Sequence, residues 1–595
     1  MFALATDDNR LALTVTHEHA VMHALLRLLR PGVEKLFAFD QLNAVTAAVE
    51  AIDTNESAED KILRVLGVGT AVEAACLERI PAEGPLLVVA NHPFGGVEGL
   101  LLASLLKKRR PDVRIMANRL LGHLPRLRDL FILVDPFGGA DAARANVGAL
   151  KETLRVLESG GVVGVFPAGE VSHYAPRLGE VRDPEWSDTV ARIARKSGAT
   201  VLPVLFEGHN GPFFHLLGML HPRLRTARLP HEFLNKRGLR ITVRIGHAIP
   251  PQRIARFKNA ADLTAYLRIR TYLQRGGDAT APAIVSTEQL EPVAPPVPVE
   301  HLRRDIAALP AEALLVEHEQ FRVYIAEASH IPNVLREIGR LREVTFRGNN
   351  EGTGRAIDLD RFDMHYLHLF LWHAGSEDVV AAYRLGATDT ILPEQGKAGL
   401  YTRTLFNIRK RLLKQIDPAL EMGRSFVREE YQRQFLPLML LWKGIGSYVA
   451  RNPRYRNLFG PVSINAAYSS TSQQLLMRFL RENSMDERAR LVRAKLPPRA
   501  ARLAGFDPST MSTVVRDLSD LSALIAEIEE DHKDVPILLK QYLKLGGVLL
   551  GFNIDPDFSN VLDGLILVDL ARTDPRQLER YMGKDGAAAF LAHHT

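Results

Sequence analysis

At 595 residues the chain is longer than one hydrophobic core supports, since single cores stop growing at roughly 250 to 300 residues, so two domains of catalytic size are expected. Apolar residues make up 46 % and charged residues 24 %, which excludes a disordered chain, while the single cysteine, Cys76, excludes an intramolecular disulfide or a thiolate zinc cluster and fits a reducing compartment. A net charge of +6 favours anionic partners, but no zinc finger, basic zipper or aromatic-basic motif points to nucleic acid, which leaves phospholipid headgroups or an acidic carrier protein.

The chain begins MFALATDDNRL, with acids where an export signal has a basic region. Its most apolar runs, 84–90 and 162–166, fall far short of the roughly 20 residues that cross a bilayer. A cytoplasmic protein without membrane spans is expected.

Strands are predicted at 85–90, 113–117, 130–135, 162–167, 200–208 and 239–246, with a helix over 142–157, where apolar residues recur at spacings of three and four. Short buried strands alternating with helices make residues 1–275 an α/β layered domain with a largely parallel sheet.

The segment Asn91-His92-Pro93-Phe94-Gly95-Gly96-Val97-Glu98 follows directly on the first of these strands, which puts His92 at a strand end, where side chains meet a cleft. Near neutral pH an imidazole can take a proton from a hydroxyl, and a carboxylate on its other nitrogen fixes the tautomer and stabilises the imidazolium. Glu98 is the nearest acid in sequence, and Gly95 and Gly96 permit the turn that brings it back to His92, with Glu170 as the alternative partner. The plainer alternative is a helix-capping His92 beside a solvated Glu98.

Further along, 212–229 mixes Phe213, Phe214, Leu216, Leu217, Met219 and Leu220 with Arg223, Arg225 and Arg228, which suits either a membrane surface or a core helix with a basic edge. His215, His221 and His231 are too irregularly spaced for a ligand set, so no metal is expected. Proline and small residues displace all periodicity over 276–300, which reads as a linker.

Beyond it, strands are predicted at 322–326, 368–372, 378–386, 419–427, 458–464 and 562–570, with helices over 331–345 and 436–450, which makes 301–595 a second α/β domain. Glu421 on its strand can orient or deprotonate an amine, while Arg384 and Arg424 can grip a carboxylate or phosphate with forked hydrogen bonds. For each arginine the alternative is a structural ion pair with Asp363 or Glu421.

The first half resembles the glycerolipid acyltransferase superfamily. Asn91-His92 with Glu98 corresponds to its first motif, in which Asn-His is followed after four residues by Asp; here five intervene and the acid is Glu. Phe166-Pro167-Ala168-Gly169-Glu170-Val171-Ser172 is similar to its Phe-Pro-Glu-Gly-Thr-Arg-Ser block, and Val201-Leu202-Pro203-Val204 to its Val-Pro-Val strand. The resemblance implies that His92 and Glu98 are catalytic and that Asn91, Gly95, Gly96, Phe166, Pro167, Gly169 and Glu170 bind substrate. The block that usually ends in a phosphate-binding arginine offers Asp135 instead, which argues for an acceptor other than a lysophosphatidic acid, with Arg119 and Arg144 as possible substitutes.

The second half, over roughly 320–570, resembles the carrier-protein-dependent N-acyltransferase branch of the GNAT superfamily, ornithine-lipid N-acyltransferases among them. The likeness rests on 338–347, on 358–363, on Tyr383-Arg384-Leu385, on 420–427 and on 538–547 with Asp555-Pro556-Asp557-Phe558. It implies a GNAT-like mixed sheet, a catalytic Glu421 and substrate-binding Asp363, Arg384 and Arg424. Together the halves resemble the bifunctional ornithine-lipid synthases. The expected activity is N-acylation of an amino acid, ornithine foremost, with a 3-hydroxyacyl group from acyl carrier protein, then O-acylation of that 3-hydroxyl.

The resemblance implies no bound cofactor, an acyl-acyl carrier protein donor, amino acid and lyso-aminolipid substrates, and a peripheral place on the inner face of the bacterial cytoplasmic membrane. The stretch before the 436–450 helix lacks the glycines that cradle a pyrophosphate, so a basic surface of Arg428, Arg433 and Lys443 is expected to meet the carrier. Two alternatives stay open: a lysophospholipid acyltransferase whose second domain is regulatory, and a non-catalytic, hemolysin-like lipid-binding protein.

Overall fold

In the computed structural model the described residues are 2–7, 10–15, 38–118, 127–135, 140–176, 179–278, 290–349, 351–465, 467–498, 511, 513–529 and 531–595. The chain forms two compact units, one reaching to Gly276 and the other starting at Gly277, with 511 and 513–516 grouped with the first. Each is an α/β fold.

Unit 1 is built on seven strands: β1 (Gly69–Ala71), β2 (Leu86–Ala90), β3 (Val113–Asn118), β4 (Phe131–Val134), β5 (Val162–Val165), β6 (Thr200–Phe206) and β7 (Arg240–Ile245), in the order β1-β7-β6-β2-β5-β3-β4. All neighbours run parallel except β6 and β7, which are antiparallel. Every residue of β2 is 0 % exposed, so this strand is covered on both faces, which is why it reads as a continuous apolar run. The helices of unit 1 include α1 (Val97–Lys107), α2 (Ala140–Glu158), α3 (Thr189–Ser197), α4 (Pro212–Leu220), α5 (Pro222–Leu234) and α6 (Ala260–Tyr272). The leucines of α1 are buried on all sides, which places this helix within the core of the unit. The strand expected over 162–167 stops at Val165, because Phe166 accepts the Gly169 N–H at 3.0 Å and the chain turns there.

Unit 2 holds an eight-stranded mixed sheet: β8 (Leu314–His318), β9 (Phe321–Glu327), β10 (Leu367–His373), β11 (Asp378–Ala387), β12 (Ala419–Val427), β13 (Asn457–Ile464), β14 (Val548–Asp555) and β15 (Val561–Asp569), ordered β8-β9-β10-β11-β12-β13-β15-β14. Helices α7 (Pro332–Gly348) and α8 (Phe435–Arg451) cover it where the apolar spacing places them. Strand β14 escaped the sequence pattern because Gly551 interrupts it at a shift of register against β15. Only β12 and β13 are parallel. Their ladder runs over Ala419–Asn457, Leu420–Leu458 and Glu421–Phe459 and stops there, although both strands continue, so they part and leave backbone N–H and C=O groups facing an opening. At the closed end a side chain on Gly460 would fall 2.1 Å from the Met422 carbonyl, so the strands approach to a distance only glycine allows.

The linker expected over 276–300 divides. Residues 279–289 lie outside the described residues, whereas 290–298 is fastened to unit 2: Glu291 N–H donates to Gly354 O at 2.9 Å and Val297 N–H to Glu337 Oε2 at 3.0 Å.

Candidate active sites

The first site begins where β2 ends. Asn91 is 1 % exposed and binds the Phe206 backbone at both polar ends, donating to its carbonyl at 2.9 Å and accepting from its N–H at 2.7 Å. The substrate contact expected of Asn91 is thereby corrected: it straps the ends of β2 and β6 together, and substrate meets the residues after it.

His92 Nδ1 lies 2.9 Å from Glu98 Oε1, and the Phe166 ring sits against the imidazole at 4.7 Å. Glu98, at 0 % exposure, also accepts the N–H groups of Phe94 at 2.9 Å and Gly95 at 2.8 Å on Oε1, and of Gly96 at 2.9 Å on Oε2. The loop therefore wraps around the carboxylate, and its longer spacing is taken up at Gly95, whose φ of 93° is in the left-handed region. A methyl on Gly95 would also fall 2.5 Å from Leu229 Cδ2.

The electrostatics follow. Burial works to raise the Glu98 carboxyl, but the His92 charge and the surrounding N–H donors bring it down to about 2, so it is ionised at any working pH. Burial works to lower His92, and the Glu98 carboxylate, helped by Asp183, reverses this and lifts it above an ordinary imidazole. With Nδ1 taken up by Glu98, Nε2 is the nitrogen left to receive a substrate proton.

His92 borders a cavity of about 800 Å³, together with Gly95, Gly96, Phe166, Pro167, Gly169 and Glu170. Ile115, Phe131, Leu150, Val165, Val190 and Ile193 give it apolar walls suited to an alkyl chain. Glu170 does not approach His92: its side chain is 58 % exposed and pairs with Arg225 at 2.7 Å. Arg119 lies outside the described residues, as does the side chain of Arg144, and Asp135 stands on the cavity wall.

Asp183 is the residue the sequence reading missed. It is 1 % exposed, accepts the His92 N–H at 3.1 Å and the Trp186 Nε1–H at 2.9 Å, and takes the Ser172 hydroxyl as well. It fixes the backbone of His92 from 91 residues away in sequence, a separation no local pattern reveals.

The second site lies in unit 2, where β11 and β12 meet the segment before β10. Arg342 on α7 donates to Asp363 Oδ1 at 2.7 Å, and Arg384 Nη1 lies 2.7 Å from Asp360 Oδ1 and 3.2 Å from Asp363 Oδ1. Arg424, with φ of 51°, stands 3.6 Å from Asp358 and 3.5 Å from Asp360, its guanidinium 4.2 Å from the Phe558 ring centre and 4.9 Å from that of Tyr401. The ion-pair alternative with Asp363 is thus met by Arg384, whereas Arg424 pairs with Asp358 and Asp360 in place of Asp363 or Glu421. Asp363 is 1 % exposed and anchors the arginines from behind, which corrects the substrate contact expected of it. Burial works to raise its carboxyl, and Arg342 and Arg384 hold it well below the usual carboxylate range. Nε and Nη2 of both Arg342 and Arg384 have no hydrogen-bond partner among the described residues, so donors remain for a carboxylate ligand.

Glu421 takes a different part from the proton transfer expected of it. At 1 % exposure it accepts the Tyr401 N–H at 3.1 Å, the Tyr366 hydroxyl, and both the N–H and hydroxyl of Thr402. With four donors on two oxygens it holds the 401–402 turn, and an amine has no lone pair left to reach. The acids suited to an amine are Asp555, which accepts the Tyr401 hydroxyl at 3.3 Å, and Asp563, held by Ser463 at 3.0 Å. Burial, then the neighbouring Asp555 carboxylate, pushes Asp563 up to about 8. Asp563 lies in the apolar run read as a strand, and of the two acids there, Asp563 and Asp569, it is the buried one.

Comparison with known proteins finds a match for each unit. A family model described as Acyltransferase matches residues 38–279, and one described as Acetyltransferase (GNAT) domain matches residues 341–443. A glycine N(alpha)-acyltransferase of Bacteroides thetaiotaomicron is 30 % identical over 262 residues, which cover 42 % of this chain and 77 % of that protein. A lyso-glycine lipid O-acyltransferase of Phocaeicola vulgatus is 29 % identical over 212 residues, covering 34 % of this chain and 72 % of the relative. The crystal structure of the 1-acyl-sn-glycerophosphate (LPA) acyltransferase, PlsC, from Thermotoga maritima is 20 % identical and covers 42 % of this chain and 98 % of its own, with a TM-score of 0.25, too low to compare folds. The chain is an acyltransferase that belongs to the family of the Bacteroides thetaiotaomicron glycine N(alpha)-acyltransferase, with an Acyltransferase domain ahead of its GNAT-type domain.

Proposed function

We propose that the chain makes a two-chain aminolipid in two acyl transfers. Unit 2 joins a 3-hydroxyacyl group to the α-amine of an amino acid, and unit 1 then acylates the 3-hydroxyl of that product. The observation that carries this reading is that one chain holds both a His92–Glu98 dyad on an apolar cavity and an arginine-carboxylate site, and is similar to proteins named for an N-acyl and an O-acyl step.

In unit 2 the amino acid's carboxylate meets the unsatisfied donors of Arg342 and Arg384, and Asp563 receives the ammonium proton, freeing the amine to attack the thioester carbonyl. The tetrahedral intermediate collapses with loss of the thiolate. An extended phosphopantetheine arm, with its two amides, suits the backbone groups where β12 and β13 part. The donor is an acyl-acyl carrier protein rather than a nucleotide thioester, a reading supported by the exposed Arg433 before α8; Arg428 is already bound to Glu430 at 2.8 Å. In unit 1 His92 takes the proton of the 3-hydroxyl, whose oxygen attacks the second thioester, and returns it to the departing thiolate.

Ornithine is the proposed amino acid. Two buried acids, Asp555 and Asp563, exceed the need of one ammonium and can serve a second. Glycine is the second reading, favoured by the names of the relatives. The purified chain tests the scheme: with 3-hydroxyacyl-carrier protein and each amino acid in turn, an N-acyl product and then its O-acyl ester are expected. Transfer to lysophosphatidic acid alone would support the regulatory-domain alternative.

The second substrate partitions into membranes, so the enzyme works on the inner face of the cytoplasmic membrane. No helix among the described residues is long and apolar enough to cross a membrane. Beside the cavity, however, α4 exposes Phe213 at 52 %, Met219 at 55 % and Leu220 at 72 %, with Arg228 of α5 over the Phe213 ring at 5.3 Å. Serine at Leu216, Met219 and Leu220 is expected to cut binding to anionic phospholipid vesicles by at least tenfold, measured by co-sedimentation; unchanged binding would remove α4 from the membrane contact.

A further inference from the structure

Arg225 is a buried cation on the wall of the His92 cavity. It lies on α5, its side chain is 9 % exposed, and it lines the same 800 Å³ space as His92. Its aliphatic stem rests on α4, where a methyl on Gly218 would fall 3.1 Å from Arg225 Cδ. Its one charge partner among the described residues is Glu170, 2.7 Å away and 58 % exposed. A charge taken out of water needs a partner, yet this partner keeps most of its own hydration and sits on a turn that water reaches. An incoming anion can displace Glu170 from Arg225 at small cost, since the released carboxylate returns to solvent.

The position relative to the dyad follows from packing. Leu229 and Val171 close on Gly95 from two sides, so that a methyl there would fall 2.5 Å from Leu229 Cδ2 and 2.8 Å from Val171 Cγ2. Arg225 stands one helical turn, about 6 Å, before Leu229, and Glu170 immediately precedes Val171. The ion pair therefore sits just beyond the loop that holds Glu98 against His92. A ligand with its hydroxyl at His92 and an anionic group a few bonds away would place that anion at the guanidinium.

We propose that Arg225 binds the carboxylate of the O-acylation acceptor, with Glu170 as the stand-in that occupies it between turnovers. The inference rests on the reading that unit 1 acylates an N-acyl amino acid. It assigns to the site an acceptor with a hydroxyl and a carboxylate on one small head, and it makes the acid a requirement for tight binding.

The test uses the full chain, one acyl thioester donor, and three acceptors: an N-(3-hydroxyacyl) amino acid, its carboxamide with the same hydroxyl but no charge, and a 1-acylglycerol phosphate. The wild type is expected to favour the acid over the carboxamide by roughly ten- to a hundredfold in kcat/KM, the worth of a charge-assisted hydrogen bond. Arg225→Met should erase that preference by raising KM for the acid alone, with the donor KM unchanged. Glu170→Gln should keep the preference. If the wild type acylates the acid and carboxamide equally, or Arg225→Met retains the preference, the assignment of Arg225 falls while O-acylation by unit 1 stands. If neither N-acyl acceptor reacts, or the phosphate is preferred, the reading of the site falls and this inference with it.

Discussion

Replacing His92 with alanine is expected to slow O-acyl transfer by roughly 10²- to 10⁴-fold and leave N-acyl transfer by the same chain intact. The loss is specific because in the proposed scheme His92 is the base for one hydroxyl and no part of unit 2's arginine-carboxylate site. Steady-state rates with the two acceptors presented separately measure it. Glu98→Gln should give a smaller loss and a shift in pH profile. The imidazole must be neutral to take a proton, and Glu98 raises its pKa, so wild-type O-acylation falls away as pH drops through that raised value. Without the carboxylate charge the acid limb should move to lower pH. An unmoved limb would show that another group governs it.

Asp563→Asn carries the second large effect, on the other reaction. The carboxyl of Asp563, pushed up to about 8 by burial and by Asp555, is largely protonated at pH 7 and accepts a proton only once ionised. Wild-type N-acylation should therefore rise as pH increases through about 8. The asparagine variant should lose roughly 10²- to 10⁴-fold of that activity and the pH step with it, while O-acylation persists. Retention of the step would assign it to the amine itself.

The sheet of each unit was largely legible because its strands are buried apolar runs between turn signals, and β12 occupies the very residues its pattern marks. Strand β14 was not, since a glycine at a register shift reads as a loop. The dyad was legible for a local reason: two glycines after His92 permit the turn that returns Glu98. Its support was not, because Asp183 meets His92 only across 91 residues of chain, and in unit 2 the contact between Ser463 and Asp563 is hidden in the same way, across 100 residues. Asn91 and Glu421 show a different limit. A motif marks a polar residue as needed without saying whether its hydrogen bonds go to substrate or to the chain, and here they go to Phe206 and to the 401–402 turn.

Lipid mass spectrometry of a bacterium that lacks aminolipids, carrying the full chain or its His92→Ala variant, tests the account most directly. The wild type should yield an amino acid bearing two acyl chains, amide- and ester-linked, and the variant should accumulate the single-chain amide. A two-chain aminolipid from the variant, or no aminolipid from the wild type beside altered glycerophospholipids, would contradict it.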